Sequence, residues 1–292
     1  MSGFGDRRHF LKAVGAATCA GMFSWRAEAA EAGQGAPHAT KLGWRLGCNA
    51  YCFNQFTFYE AIDKVASLGL KEIVGFNWQK LSPAKPSVLF AETMSASDRR
   101  ETKQRLSDAG VHLSACYCRA FDEEDACRRL FDFAKDMGME TLDGEPRAEV
   151  FDMLERLCDE YQINVAVHSH AKPSPYWQPE TLLKLFEGRS KRIGACCDTG
   201  HWARSGLSAV ETLAKLQGRI ITFDLKDVND QGVCVPFGAG KADIRGLLKE
   251  LHRQRFRGLL GIEYDQRAQN LEADLAQCVA YFDRVCGELS TT

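Results

Sequence analysis

Residues 164–170 read Asn164-Val165-Ala166-Val167-His168-Ser169-His170, an apolar run ending in two imidazoles, and residues 193–201 read Ile193-Gly194-Ala195-Cys196-Cys197-Asp198-Thr199-Gly200-His201, the same plan ending in a carboxylate. A strand has a side-chain period of two, so His168 and His170 point to the same side. Short apolar strands separated by longer segments of helical period are the pattern of parallel βα units. Working outward from this pair, the pattern starts at Trp44 and gives eight strands: Arg45–Tyr51, Lys71–Phe76, Val111–Cys118, Glu140–Glu145, Asn164–His170, Ile193–Asp198, Ile220–Lys226 and Gly258–Glu263. The clearest helices between them are Phe58–Leu68, Asp98–Ala109, Asp125–Met137, Ala148–Tyr161, Ala209–Leu216 and Ile244–Gln254, and Leu271–Cys286 follows the last strand. Gly69 and Gly110 stand where a helix hands over to a strand. An open doubly wound sheet is disfavoured because no Gly-rich phosphate fingerprint follows the first strand. The fold class is α/β, a single (β/α)₈ TIM barrel.

Length and composition agree with one such domain. The chain has 292 residues, is 45% hydrophobic and 26% charged, and carries a net charge of -2. Single barrels of about 250 residues are common. The small charge supplies no field to recruit nucleic acid or an anionic membrane.

The amino terminus reads differently. Asp6-Arg7-Arg8-His9-Phe10-Leu11-Lys12 leads into a short apolar run ending near Phe23, then into small residues around Ala27, Ala29, Ala30 and Ala32. This is the form of a twin-arginine export signal over residues 1–32, cleaved after Ala29 or Ala32, with the twin-arginine translocase as transient partner and an extracytoplasmic, periplasmic destination. The competing reading is an amphipathic amino-terminal helix of a cytosolic protein. Gly33–Leu42 reads as a linker and residues 43–292 as the catalytic barrel. No other segment has the roughly 18 apolar residues of a transmembrane helix, so no stable membrane insertion is expected. The twelve cysteines are not spaced like a small disulfide scaffold, and many fall in apolar strands, where free thiols pack as small hydrophobes.

In a barrel of this kind the chemistry lies at the carboxyl ends of the strands. Strand four ends at Glu145, strand five at His168 and His170, strand six at Asp198 with His201 in the following loop, strand seven at Asp224 and Lys226, and strand eight at Glu263. Polar groups at five successive strand ends are costly as packing alone, because unpaired buried charge is unfavourable. Carboxylate oxygen and imidazole nitrogen together suit a divalent metal ion (Mn, Zn, Fe, Co or Mg). Glu145, His170 and His201 are candidate acid–base groups. Lys226 is a candidate to steady an oxyanion, or else the ion-pair partner of a nearby carboxylate. Asn49, Tyr51 and Trp202 are candidates to line a sugar pocket, or else ordinary core residues.

At Asp198-Thr199-Gly200-His201-Trp202, Leu225-Lys226-Asp227 and Gly261-Ile262-Glu263-Tyr264 the chain resembles the sugar phosphate isomerase/epimerase family of the xylose isomerase-like superfamily, from about Trp44 to Cys286. That superfamily includes ketose 3-epimerases, inosose dehydratase and the type IV apurinic endonucleases. The resemblance implies a metal held by residues of strands five to eight, which here are His168, Asp198, Asp224 and Glu263. Its epimerases have Glu, Asp, His and Glu at those places, so His168 replaces a catalytic carboxylate and Asp224 replaces an imidazole. His201 resembles a residue that contacts substrate rather than metal. The implied activity is abstraction of a proton α to a carbonyl of a keto-sugar or polyol. The missing strand-five Glu moves the expectation from plain 3-epimerisation toward a lyase or hydratase of 3-keto-sugars. The rivals are a catalytically silent sugar-binding barrel and a metal-dependent hydrolase of the apurinic endonuclease type. Metal identity, the sugar, any homo-oligomer, and whether His170 or Glu145 joins the metal shell stay open.

Overall fold

The computed structural model describes residues 34–119, 121–266 and 268–291. The expected export signal lies outside them. Eight parallel strands, β1 (Trp44–Asn49), β2 (Glu72–Phe76), β3 (His112–Tyr117), β4 (Thr141–Gly144), β5 (Asn164–His168), β6 (Ile193–Asp198), β7 (Ile220–Leu225) and β8 (Gly258–Ile262), form a closed barrel in sequence order. The ring shuts where β8 pairs with β1, with Cys48 beside Ile262. Every barrel strand expected from the alternation is present. Most end a residue or two sooner than the sequence suggested.

Helix starts and stops follow local chemistry. Thr57 caps the helix Phe58–Ser67 through a capping box with Glu60, and Ser95 caps Ala96–Ala109, which ends on Gly110 in the left-handed region. The apolar faces of these helices bury against the barrel. Phe58 stacks on Phe90 with centroids 3.8 Å apart, each such burial stabilising by roughly 1.5–3 kcal/mol. Eleven cysteines are free and buried among the described residues, in keeping with thiols used as packing. Among these residues no helix is long and apolar enough to cross a membrane.

Some elements were not anticipated. Residues 37–41 of the segment read as linker form a helix, Pro37–Lys41, tied to the last helix Leu271–Leu289 by 2.7 Å bonds from the His38 amide and Nδ1 to Asp283. Lys80–Ser82 and Lys85–Leu89 make a small hairpin after β2, Pro179–Phe186 is helical, and Thr199–Arg204 is a short helix where a loop was expected. After β7, Asp227–Val228 pairs with Cys234–Val235. There the Asp227 carboxylate accepts the amide N–H groups of Val228 and Ala242 (3.0 Å each), Gly238 (2.9 Å) and Gly240 (3.0 Å). Gly240 must be glycine, since a Cβ there would lie 2.3 Å from Asp227 Oδ1.

Candidate metal centre and active site

The ends of β5 to β8 converge at one mouth of the barrel. β6 and β7 are in register at Asp198 and Asp224, and Gly261 of β8 pairs with Asp224, which brings Glu263 to the same rim. His168, Asp198, Asp224 and Glu263 are all buried, and each offers one donor atom within 4.8 Å of the others. His168 Nε2 is 2.9 Å from Asp224 Oδ2 and 3.4 Å from Asp198 Oδ2. Asn49 bridges the far side, with Nδ2 donating to Asp224 Oδ1 at 3.3 Å and to Glu263 Oε2 at 3.1 Å, while its Oδ1 accepts the Tyr51 amide at 2.9 Å.

Lys226 enters the same cluster. Its Nζ is 2.5 Å from Asp198 Oδ2, 3.3 Å from Glu263 Oε1 and 3.6 Å from Asp265 Oδ2. The ion-pair arrangement weighed for this lysine is therefore present. Thr199 fixes its backbone, with Oγ1 donating to the Lys226 carbonyl (2.7 Å) and accepting the Lys226 amide (2.8 Å). Gly200 leaves room for its stem, since a Cβ there would meet Lys226 Cβ at 2.6 Å.

The protonation balance follows from these contacts. Burial opposes the charge on Asp198 and Asp224, but for Asp198 it is outweighed by His201 in its protonated form and by the charges of Lys226 and His168, and for Asp224 by His168, so both lie below the ordinary carboxylate range. Burial pushes Glu263 up to about 8, aided by Asp224 and Asp198 and resisted by Lys226. Burial alone would lower His168, yet its bonds to Asp198 and Asp224 raise it to about 10. His201 is lowered to about 4, chiefly by burial and against the pull of Asp198, so its imidazole is neutral at pH 7.

Three carboxylates and one imidazole packed this closely offer the oxygen and nitrogen donors that suit a divalent cation, with the Lys226 ammonium offsetting part of their buried charge. One buried polar atom also lacks a partner here, His168 Nδ1.

Above the cluster lies a cavity of about 390 Å³ whose lining includes His168, His170, His201, Asp224, Lys226 and Glu263. Its opposite wall is aromatic. Phe76 packs against Tyr51 (centroids 5.2 Å) and Trp78 (4.9 Å), and Tyr117 sits edge-on to Trp78 at 5.6 Å. The Arg119 guanidinium lies 3.8 Å over the Trp78 ring. Phe76, Trp78, Tyr117, Arg119 and Asp265 were not singled out from sequence. The available signal was their place just at or beyond the ends of β2, β3 and β8, but aromatic residues there look like core.

The remaining expected residues divide. His170 lines the cavity, with its Nδ1 3.0 Å from Glu145 Oε2. Glu145 stands behind that imidazole and accepts Ser174 Oγ at 2.5 Å. Burial works to raise the Glu145 carboxyl, but the bonds from His170 and Ser174 hold it below its usual value. His201 Nε2 is 3.6 Å from Asp198 Oδ2, and its Nδ1 faces Arg204 Nη1 at 3.3 Å. Asn49 and Tyr51 line the cavity. Trp202 does not. It is fully buried in the apolar core, because successive helix residues point about 100° apart and the turn that aims His201 inward carries Trp202 away.

Solved structures share this architecture. A protein of Parabacteroides distasonis described as uncharacterised is 27% identical with a TM-score of 0.69, the match covering 83% of this chain and 99% of that one. A D-tagatose 3-epimerase-like protein is 14% identical with a TM-score of 0.67, covering 84% of this chain and 98% of that one. A Mycobacterium smegmatis xylose isomerase-like TIM barrel protein, solved in complex with magnesium, is 14% identical with a TM-score of 0.67, covering 85% and 98%. No curated protein matches the chain significantly. Residues 62–283 match the sequence family described as the xylose isomerase-like TIM barrel, and the chain belongs to that family.

Proposed function

We propose that the protein is a metal-dependent enzyme that removes a proton α to the carbonyl of a keto-sugar or related polyol, acting as a lyase or hydratase on 3-keto-sugars. The observation that carries this reading is the four-donor cluster of His168, Asp198, Asp224 and Glu263 at the floor of a cavity that also presents His170 and His201. These four residues would hold a divalent ion, which when bound would supply Lewis-acid stabilisation of negative charge on a substrate oxygen. The magnesium-bound neighbour supports the metal and the D-tagatose 3-epimerase-like neighbour a sugar substrate, while the choice of elimination rests on this chain's own residues.

The chain's own groups perform the proton handling. Glu145 engages His170 Nδ1, so the tautomer with its proton on Nδ1 leaves the Nε2 lone pair to accept the substrate's α proton. His201 is neutral, and its Nδ1 accepts from Arg204, which leaves Nε2–H to donate to a departing or protonating oxygen. The aromatic wall offers ring faces to the C–H surfaces of a sugar.

The strand-five histidine supports elimination over epimerisation. A 3-epimerase needs two acid–base groups on opposite faces of one carbon, and here the strand-five group is a cage imidazole already bonded to Asp224 and close to Asp198. Metal-loaded protein incubated with a 3-keto-glucoside is expected to give elimination products seen by proton NMR. No turnover of that substrate beside rapid epimerisation of free ketoses rejects the assignment. A multi-metal hydrolase is not favoured, because the ligand-competent groups found among the described residues overlap at this one place.

The proposal includes export, on the strength of Arg7-Arg8 and the segment after them. Amino-terminal sequencing of the extracytoplasmic form is expected to begin at Ala30 or Gly33. An unprocessed chain retained in the cytoplasm refutes it.

A further inference from the structure

We propose that Lys226 is a displaceable internal counter-ion, whose ammonium holds Asp198 and Glu263 in the metal-free protein and withdraws to Asp265 when a divalent cation enters. This rests on the metal centre proposed above and deepens it.

Three observations lead there. First, Lys226 Nζ contacts two of the four cage residues, at 2.5 Å from Asp198 and 3.3 Å from Glu263. The contacted Asp198 oxygen is Oδ2, the one that also faces His168, whereas Oδ1 is committed to the His201 amide at 2.8 Å. An ammonium and a dication thus compete for one oxygen. Second, an alternative partner is already in reach, since Asp265 Oδ2 lies 3.6 Å from Nζ and belongs to no part of the cage. Arg204 pairs with Asp265 from the other side through Nη2 at 2.8 Å, which keeps that carboxylate in place. Third, the two ends of the lysine differ in freedom. Thr199 and the close approach of Gly200 pin its backbone and stem, so a change of contact requires only rotation of the last bonds.

The physical consequence is a centre that stays assembled without its metal at the expense of some metal affinity. Converging carboxylates left with no cation would repel, and the ammonium offsets this. A divalent ion must then displace it.

The test titrates Mn²⁺ into chelator-treated wild type, Lys226→Gln and Asp265→Asn proteins, following free Mn²⁺ by electron paramagnetic resonance and recording thermal midpoints with and without metal. Lys226→Gln is expected to bind Mn²⁺ about 10- to 100-fold more tightly than wild type, the range over which groups behind metal ligands shift affinity. It should also melt below wild type only while metal-free. Asp265→Asn removes the alternative partner and is expected to bind Mn²⁺ more weakly than wild type. Equal or weaker binding by Lys226→Gln, beside stoichiometric binding by wild type, overturns the counter-ion role and leaves the metal centre standing. Failure of all three proteins to bind Mn²⁺ overturns the metal centre itself, and the counter-ion role with it. Should Lys226→Gln not fold in either condition, Asp265→Asn decides: weaker binding supports the role, and unchanged binding overturns it.

Discussion

Replacing Asp198 by alanine is expected to lower the unfolding free energy of the metal-free protein by about 3–5 kcal/mol, the usual cost of leaving one partner of a buried ion pair uncompensated. Asp198 is fully buried and meets Lys226, His168 and His201, and its Oδ1 accepts the His201 amide that opens the helix Thr199–Arg204. Removing it takes from the buried Lys226 ammonium its shortest carboxylate contact and takes one donor from the cage. Urea denaturation in chelator measures the first effect, and stoichiometric metal analysis measures the second. Asp198→Asn separates them, because it keeps the shape and the cap but loses the charge. A loss under 1 kcal/mol for Asp198→Ala, or full metal content in that protein, contradicts the arrangement described for the centre.

The second large effect concerns turnover. His170→Gln is expected to reduce kcat by about 10²- to 10⁴-fold, the contribution of a positioned acid–base group, while bound metal stays stoichiometric because His170 lies outside the four-donor cluster. Glu145 touches His170 but does not line the cavity, so it acts by positioning. Glu145→Gln is therefore expected to cost less than His170→Gln, and to lower kcat with little change in KM. Steady-state kinetics on the metal-loaded proteins, with metal content measured in parallel, decides both. A His170→Gln protein with wild-type kcat removes His170 from the mechanism.

The barrel was legible in the sequence because a strand buried on both faces must be apolar, and eight such runs separated by amphipathic helices admit few closed arrangements. The strand-end polar residues were legible for the complementary reason that burying Asp198, Asp224 and Glu263 needs a compensating partner. What escaped was set by direction rather than composition. Trp202 follows His201 directly, yet one helical step sends the indole into the core and the imidazole into the cavity. Tyr117 and Phe76 end strands whose other apolar residues are core, so nothing local marked them as cavity walls. The partners of Lys226 depend on Asp265, three residues past the end of β8, where no period governs the side chain. The hairpins after β2 and β7 are short and lie outside the barrel sheet, and stretches of that length carry too little periodicity to read.

The clasp formed by Asp227 has a consequence for how the barrel can change. A single carboxylate gathers its own neighbour's amide and those of Gly238, Gly240 and Ala242, so the intervening residues leave and return through the same point. Within that loop Arg204 Nε also holds the Gly232 carbonyl at 2.9 Å and Cys234 and Phe237 are buried, so the exposed tip at residues 229–233 is the part beside the active-site mouth whose composition can be exchanged while the barrel beneath keeps its register.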